Sequence, residues 1–304
     1  MHSFGAEQMA PSNGIELAYQ EMGDPDGEPL ILVMGLATQM IAWDEEFCSL
    51  LADRGFRVVR FDNRDTGRST KIDSAGLPSR VDMLAGRRAT APYLLRDMAR
   101  DTNGLMDHLG FDSAHLVGVS MGGMIVQTAA IETPERVRSM VSMLSTTGSH
   151  WVGLPSYKAM GVLLGTPPKG RDAVVEQGVR TFSVIGSPGF PFDEERVRDV
   201  AGRSYDRGHS IAGVLRQLHA ITASGDRTNA LRNVDVPTTV VHGTRDPLVR
   251  PAGGRATARA IPGARLRMID DMGHDLPRAV WPEVVEAIAA NAARTEGATA
   301  KQPA

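Results

Sequence analysis

The sequence predicts an α/β fold in which a mostly parallel central sheet is flanked by helices. Short apolar runs alternate with longer amphipathic stretches over residues 30–144, and the same alternation returns over residues 237–293. Buried parallel strands read as short, continuous apolar runs, and helices cross over between them. Between the two regions, turns rich in Gly and Pro separate three amphipathic segments with no strand among them. One α/β core interrupted by a helical insertion explains this pattern better than two tandem domains.

The elements of the core follow in chain order. The apolar runs predict strands over Leu30–Met34, Arg57–Phe61, His115–Val119, Val137–Leu144, Pro237–His242 and Ala264–Ile269. The amphipathic stretches predict helices over Trp43–Arg54, Leu94–Leu109, Met121–Glu132, Gly253–Ile261 and Pro282–Ala293. We therefore assign residues 1–145 and 233–304 to the core. Residues 294–304 are mostly small or polar, so we expect them to form a flexible tail.

The helical insertion spans residues 146–232. Its amphipathic segments are Arg171–Val184, Asp193–Tyr205 and Ile211–Ala223. The insertion also carries candidate substrate contacts, chiefly Trp151, Leu154, Tyr157 and Leu218, with Met160, Phe182, Phe190 and Phe192 as further apolar residues. These side chains indicate an apolar or aromatic ligand, although amphipathic helices bury such residues in any case.

Composition and charge narrow the class of partner. Hydrophobic residues make up 42% of the chain and charged residues 23%, as in an ordinary soluble globular protein. A net charge of −3 without any basic run disfavours nucleic acid as a partner. The chain shows neither a secretory signal nor an apolar stretch of the ~18 residues that span a bilayer. Because Cys48 is the single cysteine, an internal disulfide and a multi-cysteine zinc site are excluded, and we expect a cytoplasmic protein.

A nucleophile candidate lies at the end of one predicted strand. Residues 118–122 read Gly-Val-Ser-Met-Gly, which matches the G-x-S-x-G pattern of a nucleophile elbow. The pattern by itself is weak, but here a buried strand precedes Ser120 and a helix follows it. In that context the serine lies on a strained strand-to-helix turn, where its hydroxyl projects above the sheet edge. The alternative is a tight turn with an incidental serine.

A serine hydroxyl needs an adjacent base that is itself oriented by a carboxylate. In this type of fold the chain order is Ser, then Asp or Glu, then His. Asp246 follows one predicted strand and His274 follows the next, so both lie at the sheet edge where Ser120 lies. Order and position therefore favour His274 as the base and Asp246 as the acid.

Other acids and histidines fit this pattern less well. Asp270 and Asp271 share the loop of His274 and are interpreted as turn residues, whereas Asp235 precedes a strand at the opposite edge. His242 lies within a predicted strand, so we interpret it as a core residue or as a neighbour of the site.

Acyl transfer also requires two hydrogen-bond donors for the developing oxyanion. One is the N–H of the residue after the nucleophile, which is Met121. The other is expected from the loop after an early strand, where Leu36 follows Gly35. The usual His-Gly pair is absent, because Met34 precedes Gly35, but a backbone donor does not depend on that side chain. A plain loop after a buried strand is the alternative.

Four segments carry a resemblance to a known family. Residues 32–35 read Leu-Val-Met-Gly, residues 61–69 read Phe-Asp-Asn-Arg-Asp-Thr-Gly-Arg-Ser, residues 118–123 read Gly-Val-Ser-Met-Gly-Gly, and residues 273–277 read Gly-His-Asp-Leu-Pro. On these segments the chain resembles the α/β-hydrolase superfamily over nearly its whole length, and within it the aclacinomycin methylesterase-like group.

The resemblance implies the α/β-hydrolase fold, with the insertion as a cap, or lid, over the site. It implies Ser120, Asp246 and His274 as a catalytic triad, with the N–H groups of Leu36 and Met121 as oxyanion donors. In the family the 62–69 turn is mostly structural. We interpret it so here, in preference to an anion site at its two arginines.

The expected reaction is hydrolysis of a small-molecule carboxylic ester through an acyl-enzyme, with no metal and no cofactor. A Ser nucleophile, rather than Asp, disfavours the chemistry of dehalogenases and epoxide hydrolases. The same triad leaves perhydrolysis, as in cofactor-free haloperoxidases, and hydrolysis of a C–C bond as alternatives. A receptor-like binding protein with little turnover is a more distant one. Methyl esters of polyketides follow from the resemblance only, and the sequence leaves monomer and homodimer open.

Overall fold

A computed structural model describes residues 2–163, 165 and 168–295. The strands of the described residues are β1 (Gln8–Ser12), β2 (Ile15–Met22), β3 (Glu28–Val33), β4 (Phe56–Phe61), β5 (Ala114–Val119), β6 (Val137–Met143), β7 (Thr238–Gly243) and β8 (Arg265–Ile269). They form one sheet in the order β1-β2-β4-β3-β5-β6-β7-β8. Strands β3 to β8 pair in parallel, which confirms the predicted mostly parallel sheet.

The helices include every one that the sequence predicts. They are α1 (Glu45–Ala52), α2 (Arg80–Leu84), α3 (Leu95–His108), α4 (Met121–Glu132), α5 (Tyr157–Leu163), α6 (Arg171–Ile185), α7 (Glu194–Arg207), α8 (Ile211–Ser224), α9 (Thr228–Leu231), α10 (Ala252–Ala260) and α11 (Trp281–Ala292). Helices α6, α7 and α8 correspond to the three predicted segments of the insertion, and α5 precedes them. Among the described residues, each helix is too short or too polar to span a bilayer.

The continuous apolar runs of the sequence are explained by burial of the sheet on both faces. In β3, Ile31 and Val33 belong to a core cluster with α3 and α4, whereas Leu30 and Leu32 belong to a second cluster with α1 and α11. Successive side chains of a strand point to opposite faces, so a strand covered by helices on both sides is apolar at every position. The result is a three-layer α/β/α arrangement.

Strands β1 and β2, which the sequence pattern does not predict, pair with each other antiparallel at one edge of the sheet. In β1 the buried Ala10 and Ser12 alternate with the exposed Met9 and Pro11, because one face packs against α3 while the other meets solvent. In β2, Leu17, Ala18 and Tyr19 are buried in succession, and the polar residues Glu16 and Gln20 flank them. Neither strand has the long continuous apolar run by which the central strands were predicted.

The strand order creates a crevice between two neighbouring strands. From β3 the chain moves outward to β4 and then returns to β5 on the other side of β3. Ligands of open α/β sheets bind where the order reverses in this way, outside the carboxyl ends of the strands. Val33 at the end of β3 is in register with Gly118 of β5, so the loops after these strands lie side by side.

Of the predicted tail, residues 296–304 lie outside the described residues. Arg294, at its start, donates hydrogen bonds to the carbonyl oxygens of Thr238 (2.9 Å) and Gly263 (3.0 Å). The chain is therefore tied to β7 as far as this residue.

Candidate active site

Ser120 lies on the sharp turn between β5 and α4. Its backbone has φ +56° and ψ −116°, a conformation that a residue with a side chain rarely adopts. The Ser120 N–H donates to the carbonyl of Met143 (2.8 Å), and the Ser120 carbonyl accepts from the Ser145 hydroxyl (2.8 Å). These bonds to the end of β6 hold the strained turn in place.

The two glycines of the motif are required by close backbone packing. A Cβ at Gly122 would overlap the carbonyl oxygen of Val33 in β3, and a Cβ at Gly118 would overlap the carbonyl of Gly122. Helix α4 therefore starts in contact with the neighbouring strand, which any larger residue would prevent. The spacing Gly-x-Ser-x-Gly is a consequence of this approach.

The structure brings Ser120, His274 and Asp246 together. His274 Nε2 lies 3.0 Å from Ser120 Oγ, and His274 Nδ1 lies 2.7 Å from Asp246 Oδ2. The other carboxylate oxygen, Asp246 Oδ1, accepts from the N–H groups of Leu248 and Val249, each at 2.9 Å. An ionised carboxylate only accepts hydrogen bonds, so Nδ1 carries the proton and Nε2 presents its lone pair to the serine hydroxyl.

The His274 loop is fixed by the insertion as well as by the core. The N–H of His274 donates to the carbonyl of Ile185 at the end of α6 (2.7 Å). The Ser187 hydroxyl accepts from the N–H of Gly273 (2.8 Å) and donates to the Asp275 carboxylate. Burial raises the pKa of Asp275, although the hydrogen bond from Ser187 acts in the opposite direction.

The competing acids lie apart from His274. Asp270 and Asp271 are exposed, and the Asp271 carboxylate lies 3.6 Å from Arg245. Asp235 is exposed and precedes β7, at the other edge of the sheet.

A second histidine lies beside the Asp246 carboxylate. His242 Nε2 is 2.7 Å from the carbonyl of Val249 and 3.5 Å from Asp246 Oδ2, and the residue is fully buried. Burial lowers the pKa of His242, although the nearby carboxylate raises it. The Val249 carbonyl can only accept, so Nε2 of His242 donates to it, and the N–H of Val249 in turn supports Asp246.

The loop of residues 35–39 packs directly against Ser120. A Cβ on Gly35 would lie 3.3 Å from the Ser120 Cβ. Asn63 donates to the carbonyl of Met34 (2.9 Å) just before the loop, and Thr38 donates from its N–H to the carbonyl of Gly35 (3.3 Å). Among the described residues, no hydrogen-bond partner is found for the N–H of Leu36 or for that of Met121 at the start of α4.

The four predicted substrate contacts occupy different environments. Trp151 and Tyr157 are 90% and 96% exposed, and Leu154 is 54% exposed. Leu218 in α8 is half-buried. Phe190 is partly buried against the core cluster that contains Met34 and Met272. A role of these residues in substrate binding stays a prediction.

Sequence reasoning missed one buried polar residue next to this site. Gln217 in α8 accepts a hydrogen bond from the N–H of Ala37, in the 35–39 loop. Arg216 precedes Gln217 and His219 follows it closely, so no local pattern singles Gln217 out, and its partner lies 180 residues away in the sequence.

The fold and this arrangement of Ser, His and Asp define an α/β hydrolase. Residues 28–182 match the family model of the α/β-hydrolase fold, and the chain belongs to this family, as the sequence analysis predicted.

Similar proteins of known activity indicate the class of hydrolase. The chain is 28% identical to rhodomycin D methylesterase of Streptomyces peucetius over 307 aligned positions, which cover 93% of this chain and 97% of that one. It is 24% identical to 3-oxoadipate enol-lactonase 2 of Acinetobacter baylyi, over 89% of this chain and 91% of that one. These similarities confirm the predicted enzyme class: the protein is a carboxylesterase-type hydrolase.

A solved structure shares the fold. It is the 2-hydroxy-6-oxo-6-phenylhexa-2,4-dienoate hydrolase of Rhodococcus sp. strain RHA1, with a TM-score of 0.74 and 20% identity, over 94% of this chain and 99% of that one.

Proposed function

We propose that this protein hydrolyses a carboxylic ester of a small apolar or aromatic molecule through an acyl-enzyme on Ser120. The observation that carries the proposal is the unbroken pair of hydrogen bonds from Ser120 Oγ to His274 Nε2 (3.0 Å) and from His274 Nδ1 to Asp246 Oδ2 (2.7 Å). This is the geometry by which a serine hydroxyl is activated.

In the first step Ser120 Oγ attacks the ester carbonyl carbon while His274 Nε2 takes the hydroxyl proton. The ring then carries a positive charge, which the Asp246 carboxylate stabilises without becoming protonated. Asp246 is only 2% exposed and holds its position through two backbone N–H groups. The tetrahedral intermediate collapses when His274 gives its proton to the departing alkoxide, and the acyl group remains on Ser120.

The negative charge of the tetrahedral intermediate needs donors that are already in place. We assign this role to the N–H groups of Leu36 and Met121, one on each side of Ser120. Met121 is the first residue of α4, so the positive end of the helix dipole adds to its N–H. Water then attacks the acyl-enzyme with His274 again as the base, which releases the acid and restores the serine.

Three partly buried apolar side chains support an apolar or aromatic acyl group. Val119 precedes Ser120, Leu276 follows His274 by two positions, and Phe190 lies in the insertion; all three pack against one core cluster. The rhodomycin D methylesterase relative makes a methyl ester of an aromatic acid or of a polyketide a reasonable first substrate. The insertion, as a cap over the site, would exclude water from such a ligand.

The test is capture of the acyl group. The protein is mixed with a pool of methyl and p-nitrophenyl esters of short aliphatic and aromatic acids. The reaction is quenched in acid, and the mass of the intact protein is measured by mass spectrometry. We expect an added acyl mass that maps to Ser120 and is absent from Ser120→Ala. Ser113→Ala, at the opposite edge of the sheet, serves as the matched control and should acylate normally.

Two further assays decide between ester hydrolysis and the related reactions. Peracid formation from acetate and hydrogen peroxide reports perhydrolysis, and loss of a vinylogous diketone reports hydrolysis of a C–C bond. We expect ester turnover to exceed both. Unchanged ester turnover in purified Ser120→Ala would contradict the proposal.

A further inference from the structure

We infer that Gln217, in α8 of the insertion, is a positioning residue that holds the N–H of Leu36 in place for the developing oxyanion. This inference rests on the proposed function and extends it to a residue outside the Ser120, His274 and Asp246 set.

The 35–39 loop needs support from outside itself. Ala37 has φ +60°, in the left-handed region that residues with a Cβ avoid. Such a conformation is energetically unfavourable and persists only when the surroundings impose it. Leu36 lies between this residue and Gly35, so the direction of its N–H depends on what holds Ala37.

Within the loop, the N–H of Thr38 bonds the carbonyl of Gly35 (3.3 Å), and from outside the loop a buried amide holds Ala37 itself. The N–H of Ala37 donates to Gln217 Oε1 (3.0 Å), and Gln217 is completely buried. Gln217 Nε2 donates to the carbonyl of Arg64 (2.8 Å) and to the Thr66 hydroxyl (2.7 Å). This pattern defines the amide orientation, because a flipped amide would set a donor against the N–H of Ala37 and an acceptor against the carbonyl of Arg64.

Gln217 is itself held by a rigid frame. The neighbouring residue Arg216 forms a buried ion pair with Asp65, with Nη2 2.7 Å from Oδ1 and Nε 2.9 Å from Oδ2. A Cβ on Gly213 would overlap the carbonyl oxygen of Asp65, so α8 rests directly on the backbone of the 62–69 turn. The amide of Gln217 therefore has little freedom to follow a displaced loop.

The same turn also holds the other end of the loop. Asn63 of the 62–69 turn donates to the carbonyl of Met34 (2.9 Å), immediately before Gly35. The Leu36 N–H thus lies between two attachments, the Asn63 bond on one side and the Gln217 bond on the other. The 62–69 turn was interpreted from the sequence as structural. Here it is the support that both attachments of the oxyanion-donor loop share.

This alignment acts in the transition state more than in the bound ester. The oxyanion forms only when the carbonyl becomes tetrahedral. A misdirected Leu36 N–H therefore stabilises the transition state less, while the affinity for the bound ester stays largely unchanged. Loss of a full oxyanion donor costs about 10²–10³ in kcat. A donor that is displaced but not removed should cost roughly 10-fold to 100-fold, with KM changed by less than about 3-fold.

Gln217→Met tests the inference, because it keeps the length of the side chain and removes both hydrogen-bonding groups. Gln127→Met is the matched control. Gln127 in α4 is also fully buried, and its amide bonds Ser142 (3.0 Å) and Arg227 (3.3 Å) rather than the 35–39 loop. Both variants should lower Tm, since each loses buried hydrogen bonds.

The measurements are kcat and KM per active Ser120, and the Ki of a trifluoromethyl ketone. In that inhibitor Ser120 Oγ adds to the ketone carbon, its proton passes to His274, and the ketone oxygen becomes the oxyanion. We expect Gln217→Met to lower kcat and weaken the inhibitor by the same factor, about 10-fold to 100-fold. Gln127→Met should keep wild-type kcat and Ki.

Wild-type kcat and Ki in Gln217→Met, with only Tm lowered, would overturn the inference. Should that variant not fold, Gln217→Asn gives the same decision, because it keeps the amide but withdraws it by one methylene from Ala37. Ser120→Ala is measured in parallel. If Ser120→Ala retains ester turnover, the proposed function fails; if it is inactive while the Gln217 variants have wild-type kcat and Ki, only the positioning role fails.

Discussion

The backbone N–H of His274 donates a 2.7 Å hydrogen bond to the carbonyl of Ile185, the last residue of α6. The proposed catalytic base therefore takes part of its support from the insertion. Gly186 lies against Gly273 so closely that a Cβ on Gly273 would overlap the Gly186 carbonyl. Together with Gln217 on the 35–39 loop, this contact makes the insertion a structural partner of two loops of the site.

Gly273→Ala should separate the His274 loop from the insertion. The added methyl group has no room beside Gly186, and overpacking of this kind costs about 1–3 kcal/mol. We expect a lower Tm and a fall in kcat of roughly 100-fold, since the base moves relative to Ser120. Differential scanning fluorimetry and ester turnover report the two effects. Gly161→Ala, in α5, meets no atom within 4 Å and should behave as wild type in both assays.

Asp246→Asn should abolish most of the activity while leaving the fold intact. An amide can donate to His274 Nδ1 and so stabilise the wrong tautomer, with the proton on Nε2. On that basis kcat should fall by about 10³–10⁴, as for the orienting acid of serine-protease triads. Asp270→Asn, in the exposed turn before His274, is the control and should retain wild-type kcat. Equal losses in the two variants would remove Asp246 from the assigned role.

Arg216→Met should destabilise the protein strongly. The change leaves Asp65 buried without its guanidinium, and breaking a buried ion pair costs about 3–5 kcal/mol. Burial by itself would raise the pKa of Asp65, yet the hydrogen bonds from Arg216 and Tyr93 hold it below the ordinary value. The free energy of unfolding in urea measures the loss. Arg203→Met breaks only an exposed pair with Asp199 and should change that free energy by less than about 0.5 kcal/mol.

His115 should make the protein less stable in mild acid. Burial, and then the nearby Arg138, lower the pKa of His115 from 6.5 to about 4. Between these values the unfolded chain binds a proton that the folded protein does not, so stability falls as the pH drops from about 6.5 to about 4. The full effect is up to about 3 kcal/mol.

The check is Tm against pH for wild type and for His115→Gln, which keeps a partner for Ser139 and does not titrate. In this variant, Tm should fall less steeply as the pH drops from about 6.5 to about 4. His150→Gln removes an exposed histidine, and its Tm should depend on pH as that of wild type does. A variant slope identical to that of wild type would contradict the role of His115.

Much of the core was predictable because its signals are local. The central strands are buried on both faces, so each reads as an apolar run, and the elbow at Ser120 is marked by glycines that its own packing requires. The first two strands lacked such a signal, since polar residues interrupt them: in β2, Glu16 and Gln20 bound an apolar run of only three residues. Hydrophobicity also failed to distinguish Phe190, which packs against the core, from Trp151, which is 90% exposed.

Local sequence patterns were sufficient to predict the strand–helix alternation, the turn at Ser120 and the loops that carry Asp246 and His274. These patterns are the spacing of apolar residues, the glycines at tight turns and the order of residues along the chain, and all three can be read from neighbouring positions. The contacts of Gln217 with Ala37 and of Ile185 with His274 have no such pattern. A hydrogen bond across 180 residues depends on how the insertion packs against the core, and only the folded chain sets that distance. The tertiary structure therefore decided which residues of the insertion support the site.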